Sequence, residues 1–81
     1  MNAAKRTAIV TGAGSGIGAA VTAELLGSGW RVALAGRRER PLHETVAASA
    51  AGADEALVLP TDVTDPDAVR ALFAGVTDSW G

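Results

Sequence analysis

The 81-residue sequence predicts an α/β fold in which three parallel strands alternate with three helices. Short apolar runs recur along the chain and are typical of strands that are buried on both faces of a parallel sheet. A stretch with helical spacing of apolar residues follows each run. A glycine-rich loop at residues 11–18 joins the first run directly to the first of these stretches.

The first strand and the first helix flank the glycine loop. The apolar run Thr7–Val10 predicts a strand that delivers the loop at its carboxyl end. Behind the loop, apolar residues recur at helical spacing, namely Ile17, Ala20, Val21, Leu25 and Leu26. This stripe predicts a helix that packs one face on the sheet.

The second strand is predicted at Trp30–Ala35, and the second helix from Arg38 or Glu39 through Ala51. An apolar stripe and a glycine stop signal indicate this helix. The stripe consists of Leu42, Val46 and Ala50, and the stop signal is Gly52. Pro41 falls near the first turn of this helix, where proline is tolerated.

The third strand begins at Ala56 and ends in the sequence Asp-Val-Thr-Asp. Asp65 before Pro66 predicts the start of the third helix, because aspartate accepts from free N–H groups and proline lacks one. The stripe expected to face the sheet is Val69, Leu72, Phe73, Val76 and Trp80. Together the elements predict a Rossmann-like half of a doubly wound parallel sheet, with strand order 3-2-1 and three helices.

Residues 11–18 read Thr-Gly-Ala-Gly-Ser-Gly-Ile-Gly. The first N–H groups of a helix have no partner within it and carry partial positive charge, so this position favours an anion such as a pyrophosphate. Gly12 permits the sharp exit from the strand, Gly16 lets a phosphate approach bare backbone, and Gly18 lets the helix approach the sheet. Ser15 and Ile17 complete the candidate cofactor-binding loop. A flexible Gly/Ser turn is the alternative interpretation.

Gly36, Arg37 and Arg38 follow the second strand, at the point where a dinucleotide-binding chain passes the adenosine ribose. An acid there would accept hydrogen bonds from free ribose hydroxyls, whereas guanidinium groups offer forked donors and positive charge to a 2′-phosphate. Arg37 and Arg38 therefore favour NADP over NAD as the cofactor. A solvated basic turn is the alternative interpretation of these arginines.

The spacing Gly-x-x-x-Gly-x-Gly at Gly12, Gly16 and Gly18, with Thr11 in front, resembles the nucleotide loop of the short-chain dehydrogenase/reductase family. The resemblance implies an oxidoreductase that transfers hydride between NADP(H) and a carbonyl or alcohol substrate. In this family a basic residue at the place of Arg37 commonly marks NADP preference. Many NADP-preferring relatives also have a basic residue inside the loop, where this sequence has Ser15.

The same resemblance implies an adenine-binding role for Asp62 and Val63. In the family, the acid at the place of Asp62 accepts a hydrogen bond from the adenine amino group, and the next backbone N–H reaches a ring nitrogen. A carboxylate beside a backbone N–H is the chemical complement of that edge of adenine.

The family performs its chemistry with an asparagine, a serine and a tyrosine-lysine pair that lie beyond this length, and the 81 residues contain no tyrosine. No catalytic residue is therefore predicted here, and the chain alone is expected to be inactive. Residues 1–81 are interpreted as the N-terminal part of a single NAD(P)-binding Rossmann domain, truncated before strand four. The resemblance implies that the full-length protein is a homo-oligomer.

Composition excludes several other partners. The formal net charge of -2 argues against a nucleic-acid surface. The sequence has no cysteine, and no metal site is predicted. The first apolar run is too short for a signal peptide or a membrane span, so no membrane partner and a cytoplasmic location are expected.

Two alternative function classes stay open. A methyltransferase-type fold also has a glycine loop after its first strand, but it typically has an acid after its second strand, where this sequence has Gly36 and Arg37. A non-catalytic NADP-binding sensor or regulatory module would use the same half-fold. A P-loop is excluded, because no Gly-Lys-Ser/Thr follows the glycines.

Overall fold

The computed structural model describes residues 6–49 and 55–81, in which strands and helices alternate. The elements are β1 (Thr7–Thr11), α1 (Gly16–Gly27), β2 (Arg31–Gly36), α2 (Glu39–Ala48), β3 (Ala56–Pro60) and α3 (Pro66–Trp80). The alternation predicted from the apolar runs is confirmed. The predicted continuation of α2 through Ala51 and its stop at Gly52 lie outside the described residues.

The three strands form one parallel sheet in the order β1-β2-β3, which confirms the predicted order 3-2-1. Ala8 pairs with Val32, and Val32 pairs with Ala56. Because β2 is the central strand, its residues 32–35 are 0% exposed. Parallel pairing places the carboxyl ends of all three strands, and the loops that follow them, at the same edge of the sheet.

The helices cover both faces of the sheet, because successive side chains of β2 point to opposite faces. The face covered by α1 and α2 has a core of Ala13, Leu26, Val32, Leu34 and Leu42. The face covered by α3 has a core of Ala33, Ala35, Leu72 and Val76. Full burial of a single leucine such as Leu34 stabilises the fold by about 1.5–3 kcal/mol, so β2 anchors both layers.

The apolar stripe predicted for α1 is partly wrong. Ile17 is 83% exposed and Val21 is 42% exposed, whereas Thr22 and Leu26 are buried. The helix carries apolar residues around most of its circumference, so spacing alone does not select the face that packs. The packed face is instead the one on which Gly18 lies against the loop backbone and on which Thr22 and Leu26 are buried.

The stripe predicted for α3 is correct at Leu72 and Val76, which are buried, and at Trp80, which packs against them. It is wrong at Phe73, which is 56% exposed. Phe73 follows Leu72 directly, and a one-residue step rotates a side chain by about 100° around a helix, away from the sheet.

The N-terminus of α3 is capped as predicted, because the Asp65 carboxylate accepts a hydrogen bond from the Asp67 N–H at 3.0 Å and Pro66 occupies the first turn. We expect Asp65→Ala to lower the free energy of unfolding by about 1 kcal/mol, since it removes this acceptor. Asp65→Asn retains an acceptor and is the control. Denaturant titration measures both variants, and an alanine variant as stable as the parent would contradict the capping role.

Candidate functional site

The first turn of α1 has no side-chain cap. Ser15 is the N-cap residue in an extended conformation (φ -161°, ψ 165°), and its hydroxyl makes no capping hydrogen bond. Gly12 and Gly16 adopt φ values of 63° and 56°, a left-handed region that strongly favours glycine. The loop therefore leaves the first N–H groups of α1 open to an external acceptor, and an anion is the ligand that such a helix start favours.

Gly18 determines how closely α1 approaches the loop. A Cβ at this position would lie 2.1 Å from the Gly12 carbonyl oxygen, a distance that backbone atoms cannot tolerate. A Cβ at Gly14 would lie 2.7 Å from Pro41 Cβ. The glycine loop is therefore held tightly between the start of α1 and the first turn of α2.

A cleft of about 530 Å³ opens beside this loop at the carboxyl edge of the sheet. Its walls are the loop, the end of β2 and the first turns of α2. The lining residues are Gly12, Gly14, Ser15, Gly36, Arg37, Arg38, Pro41, Leu42 and Glu44. Gly12, Ser15, Arg37 and Arg38, four of the predicted site residues, thus lie on one cleft.

The other predicted site residues lie next to the cleft without lining it. Gly16, Ile17 and Gly18 form the start of α1. Asp62 and Val63 follow β3, whose end is joined to the end of β2 by a hydrogen bond of 2.7 Å from the Thr61 N–H to the Gly36 carbonyl. This bond brings the loop after β3 beside the arginines.

Asp62 and Arg37 connect these two loops. The Arg37 guanidinium lies 3.6 Å from Asp62 Oδ1. The same oxygen accepts hydrogen bonds from the Thr64 N–H at 3.0 Å and from the Thr64 hydroxyl at 2.6 Å. Bonds from the hydroxyl and the N–H of Thr64 hold the pKa of Asp62 below its ordinary value of 3.8, and the Arg37 charge adds to the effect while partial burial opposes it.

We expect Thr64→Ala to raise the pKa of Asp62, because it removes the hydroxyl that contributes most to the depression. The folded pKa of Asp62 is below the unfolded value. Its contribution to stability is therefore fully present above the unfolded pKa and is lost as the pH falls through the folded pKa. A carbon-13 NMR titration of the Asp62 carboxyl measures this pKa. Thr77→Ala, on the exposed surface of α3, is the control. An Asp62 pKa that is unaltered in Thr64→Ala would refute the role of the Thr64 hydroxyl.

The arginines differ in their surroundings. Arg37 pairs with Asp62, and Arg40 lies 3.9 Å from Glu44. Arg38 is exposed and forms no ion pair among the residues that the structure describes. Two arginines therefore line the cleft, and of these two only Arg37 has an ion-pair partner in the part of the chain that the structure describes.

Sequence reasoning missed the contribution of α2 to the cleft. Pro41 and Glu44 both line it, and they are separated by three positions, a spacing that puts them on the same helical face. Because α2 begins directly after Arg38, the same helical spacing in the sequence could have predicted that Pro41 and Glu44 line the cleft. His43 lies on the exposed surface and pairs with Glu39 at 2.9 Å, which leaves it away from the cleft.

Neither a metal site nor a membrane span is found in the described part of the chain. Within residues 6–49 and 55–81, no three His, Cys, Asp or Glu side chains are grouped so that they could hold a metal ion. In the same ranges, no helix has the length and apolar character needed to cross a membrane.

Known proteins match both the sequence and the fold. The sequence model of the short chain dehydrogenase family matches residues 6–81. An uncharacterized oxidoreductase of Staphylococcus haemolyticus is 45% identical over 76 residues, which cover 94% of this chain and 32% of that protein. The chain therefore spans about a third of the length of the curated relatives that it matches.

Solved structures agree with the sequence matches. A short-chain dehydrogenase/reductase from Burkholderia phymatum, in complex with NAD, has a TM-score of 0.82 and 29% identity, covering 96% of this chain and 28% of that chain. The N-domain of a bacterial malonyl-CoA reductase, with NADP, has a TM-score of 0.85 and 26% identity, covering 96% and 15%. With its glycine loop, parallel sheet and matching relatives, the chain belongs to the short-chain dehydrogenase family.

Proposed function

We propose that these residues bind NADP as the first part of the cofactor-binding domain of an oxidoreductase, which transfers hydride between the nicotinamide and a carbonyl or alcohol substrate. One observation carries the proposal. The glycine loop up to the N-cap residue Ser15 lines the same cleft as Arg37 and Arg38, and the uncapped start of α1 lies next to it. A dinucleotide with a 2′-phosphate presents anionic groups that suit both of these positions.

The glycine loop supplies the pyrophosphate site. The free N–H groups at the start of α1 donate to phosphate oxygens, and the helix dipole favours the negative charge. Gly12 and Gly16 give this loop its left-handed turns without a side chain that would obstruct the phosphates. The hydroxyl of Ser15 makes no capping hydrogen bond to α1 and can donate to a phosphate oxygen.

The arginines supply the 2′-phosphate site. Arg38, which forms no ion pair within residues 6–49 and 55–81, donates from the cleft wall, and Arg37 exchanges part of its interaction with Asp62 for the phosphate. Exposed ion pairs of this kind contribute little to stability, so the exchange costs little. A charge-assisted, bidentate contact with a phosphate is stronger than the pair it replaces.

Asp62 and Val63 supply the adenine site. The carboxylate of Asp62, which is ionised at neutral pH, accepts from the adenine amino group. The N–H of Val63 makes no hydrogen bond among the described residues and is available to a ring nitrogen. The loop after β3 lies beside Arg37, so the adenine and the 2′-phosphate are held by neighbouring groups.

The 81 residues include no tyrosine, and no proton-transfer role is assigned to any of them. The role of the described residues is to bind and orient the dinucleotide. The bound cofactor supplies the hydride chemistry.

Calorimetric titration with NADPH and NADH at one fixed salt concentration tests the proposal. We expect saturable binding of both dinucleotides, with NADPH bound at least about tenfold more tightly because of its additional contacts with the arginines. Raising the salt concentration should reduce this difference, since the contacts are partly exposed. Equal affinity for the two cofactors would refute the NADP preference, and no binding of either would refute the site.

A further inference from the structure

Thr45 is a buried hydroxyl residue on the face of α2 that packs against the glycine loop. It is 8% exposed, and its Oγ1 donates a hydrogen bond of 2.8 Å to the Ala13 carbonyl, 32 positions away in the sequence. We propose that Thr45 is a positioning residue that fixes the glycine loop in the conformation that binds the pyrophosphate. This inference rests on the proposed function of the cleft.

The contact with the loop is the shorter of two that the hydroxyl makes. A threonine inside a helix commonly bonds back to the carbonyl four residues earlier, and Thr45 Oγ1 also lies 3.1 Å from the Pro41 carbonyl. Ala13 is 0% exposed, so no water replaces the Thr45 hydroxyl at its carbonyl. Loss of that donor leaves a buried acceptor unsatisfied.

The Ala13 peptide unit is held on both sides. Its N–H donates to the Ala35 carbonyl at the end of β2, at 3.2 Å, and its carbonyl accepts from Thr45. The neighbouring Gly14 lies directly against Pro41. These contacts fix the positions of Gly12 and Ser15, the neighbouring loop residues that line the cleft.

Thr45 itself does not line the cleft, so it acts through the loop and not by touching the ligand. Its helix begins immediately after Arg37 and Arg38. The bond to Ala13 therefore fixes the distance between the loop that holds the pyrophosphate and the arginines that hold the 2′-phosphate. A ligand that lacks the pyrophosphate does not contact this loop and does not depend on the bond to Ala13.

Thr45→Val tests the inference, because valine has nearly the same shape and lacks the donor. We expect the affinities for NADPH and NADH to fall about tenfold. The affinity for adenosine 2′-monophosphate, which has no pyrophosphate, should change by less than about twofold, an outcome that general loss of structure would not give. Thr45→Ser retains the hydroxyl and is expected to restore binding to within about twofold of the parent protein.

Thr22→Val is the matched control. Thr22 is the other buried threonine inside a helix, and its hydroxyl bonds only to the Gly18 carbonyl of its own helix, at 2.8 Å. We expect this variant to bind NADPH with nearly unaltered affinity. If Thr45→Val does not fold, the NADPH affinities of Thr45→Ala and Thr45→Ser are compared instead. These two variants differ by the same hydroxyl on a smaller side chain.

The outcomes separate this inference from the proposed function. NADPH binding that is equally strong with and without the Thr45 hydroxyl, or a serine variant as weak as the valine variant, would overturn the inference and leave the cofactor site intact. Equal weakening of adenosine 2′-monophosphate binding would also overturn it. Absence of NADPH and NADH binding by the unaltered protein would overturn both.

Discussion

Gly18→Ala is expected to weaken NADPH binding about 100-fold and to lower the free energy of unfolding by about 3 kcal/mol. The new Cβ would lie 2.1 Å from the Gly12 carbonyl oxygen and 2.7 Å from the Gly12 carbonyl carbon. Both are backbone atoms, so no side chain can rotate away and the helix must move relative to the loop. This movement displaces the N–H groups that face the pyrophosphate. Calorimetric titration and denaturant unfolding measure the two effects.

Gly27→Ala is the matched control, because it makes the same substitution at the other end of α1. A Cβ at Gly27 meets nothing within 4 Å. Since alanine favours helix over glycine by up to about 1 kcal/mol, we expect the stability to stay the same or to rise, and the NADPH affinity to stay unaltered. Similar binding by Gly18→Ala and the parent protein would show that close packing of α1 on the loop is not needed for the cofactor.

Arg37→Asp is expected to reduce the affinity for NADPH about 100-fold, while the affinity for NADH changes far less. The substitution removes a guanidinium donor from the cleft and places a carboxylate where the 2′-phosphate binds. It also places that carboxylate beside Asp62, which lies 3.6 Å from Arg37 in the parent protein. The measured quantity is the ratio of the NADPH and NADH dissociation constants at a fixed salt concentration.

Arg70→Asp controls for the alteration in net charge, because it introduces the same charge on the exposed surface of α3, away from the cleft residues. We expect it to leave the cofactor ratio unaltered. Arg37→Gln, which removes the charge without reversing it, should give a smaller loss of about tenfold. An unaltered ratio in Arg37→Asp would support the solvated basic turn as the correct interpretation of these arginines.

The sequence predicts the fold well because each strand carries a signal of its own. The apolar run of β2 predicts a strand buried on both faces, and residues 32–35 are fully buried. The Asp65-Pro66 pair fixes the start of α3, and the cap bond forms as expected. The glycine loop gives the position and direction of α1, so the placement of the candidate cleft follows from local patterns.

The parts that the sequence does not predict depend on contacts between distant segments. Apolar spacing selects Ile17 and Phe73 as core residues, but the face that a helix buries is decided by what it packs against, and both are exposed. Thr45 gives no signal in the sequence, because its partner Ala13 is brought to it only when α2 folds onto the loop. Pro41 lies against Gly14 for the same reason.

Phosphorus-31 NMR of NADPH bound to the protein tests the central claim most directly, because one spectrum reports on the pyrophosphate and on the 2′-phosphate. We expect the pyrophosphate resonances to shift on binding, since N–H groups of the glycine loop donate to it. We also expect the pKa of the 2′-phosphate to fall, because the positive charges of Arg37 and Arg38 favour its dianion. Pyrophosphate resonances that stay at their free positions, or a 2′-phosphate that titrates as in free NADPH, would contradict the site described for this cleft.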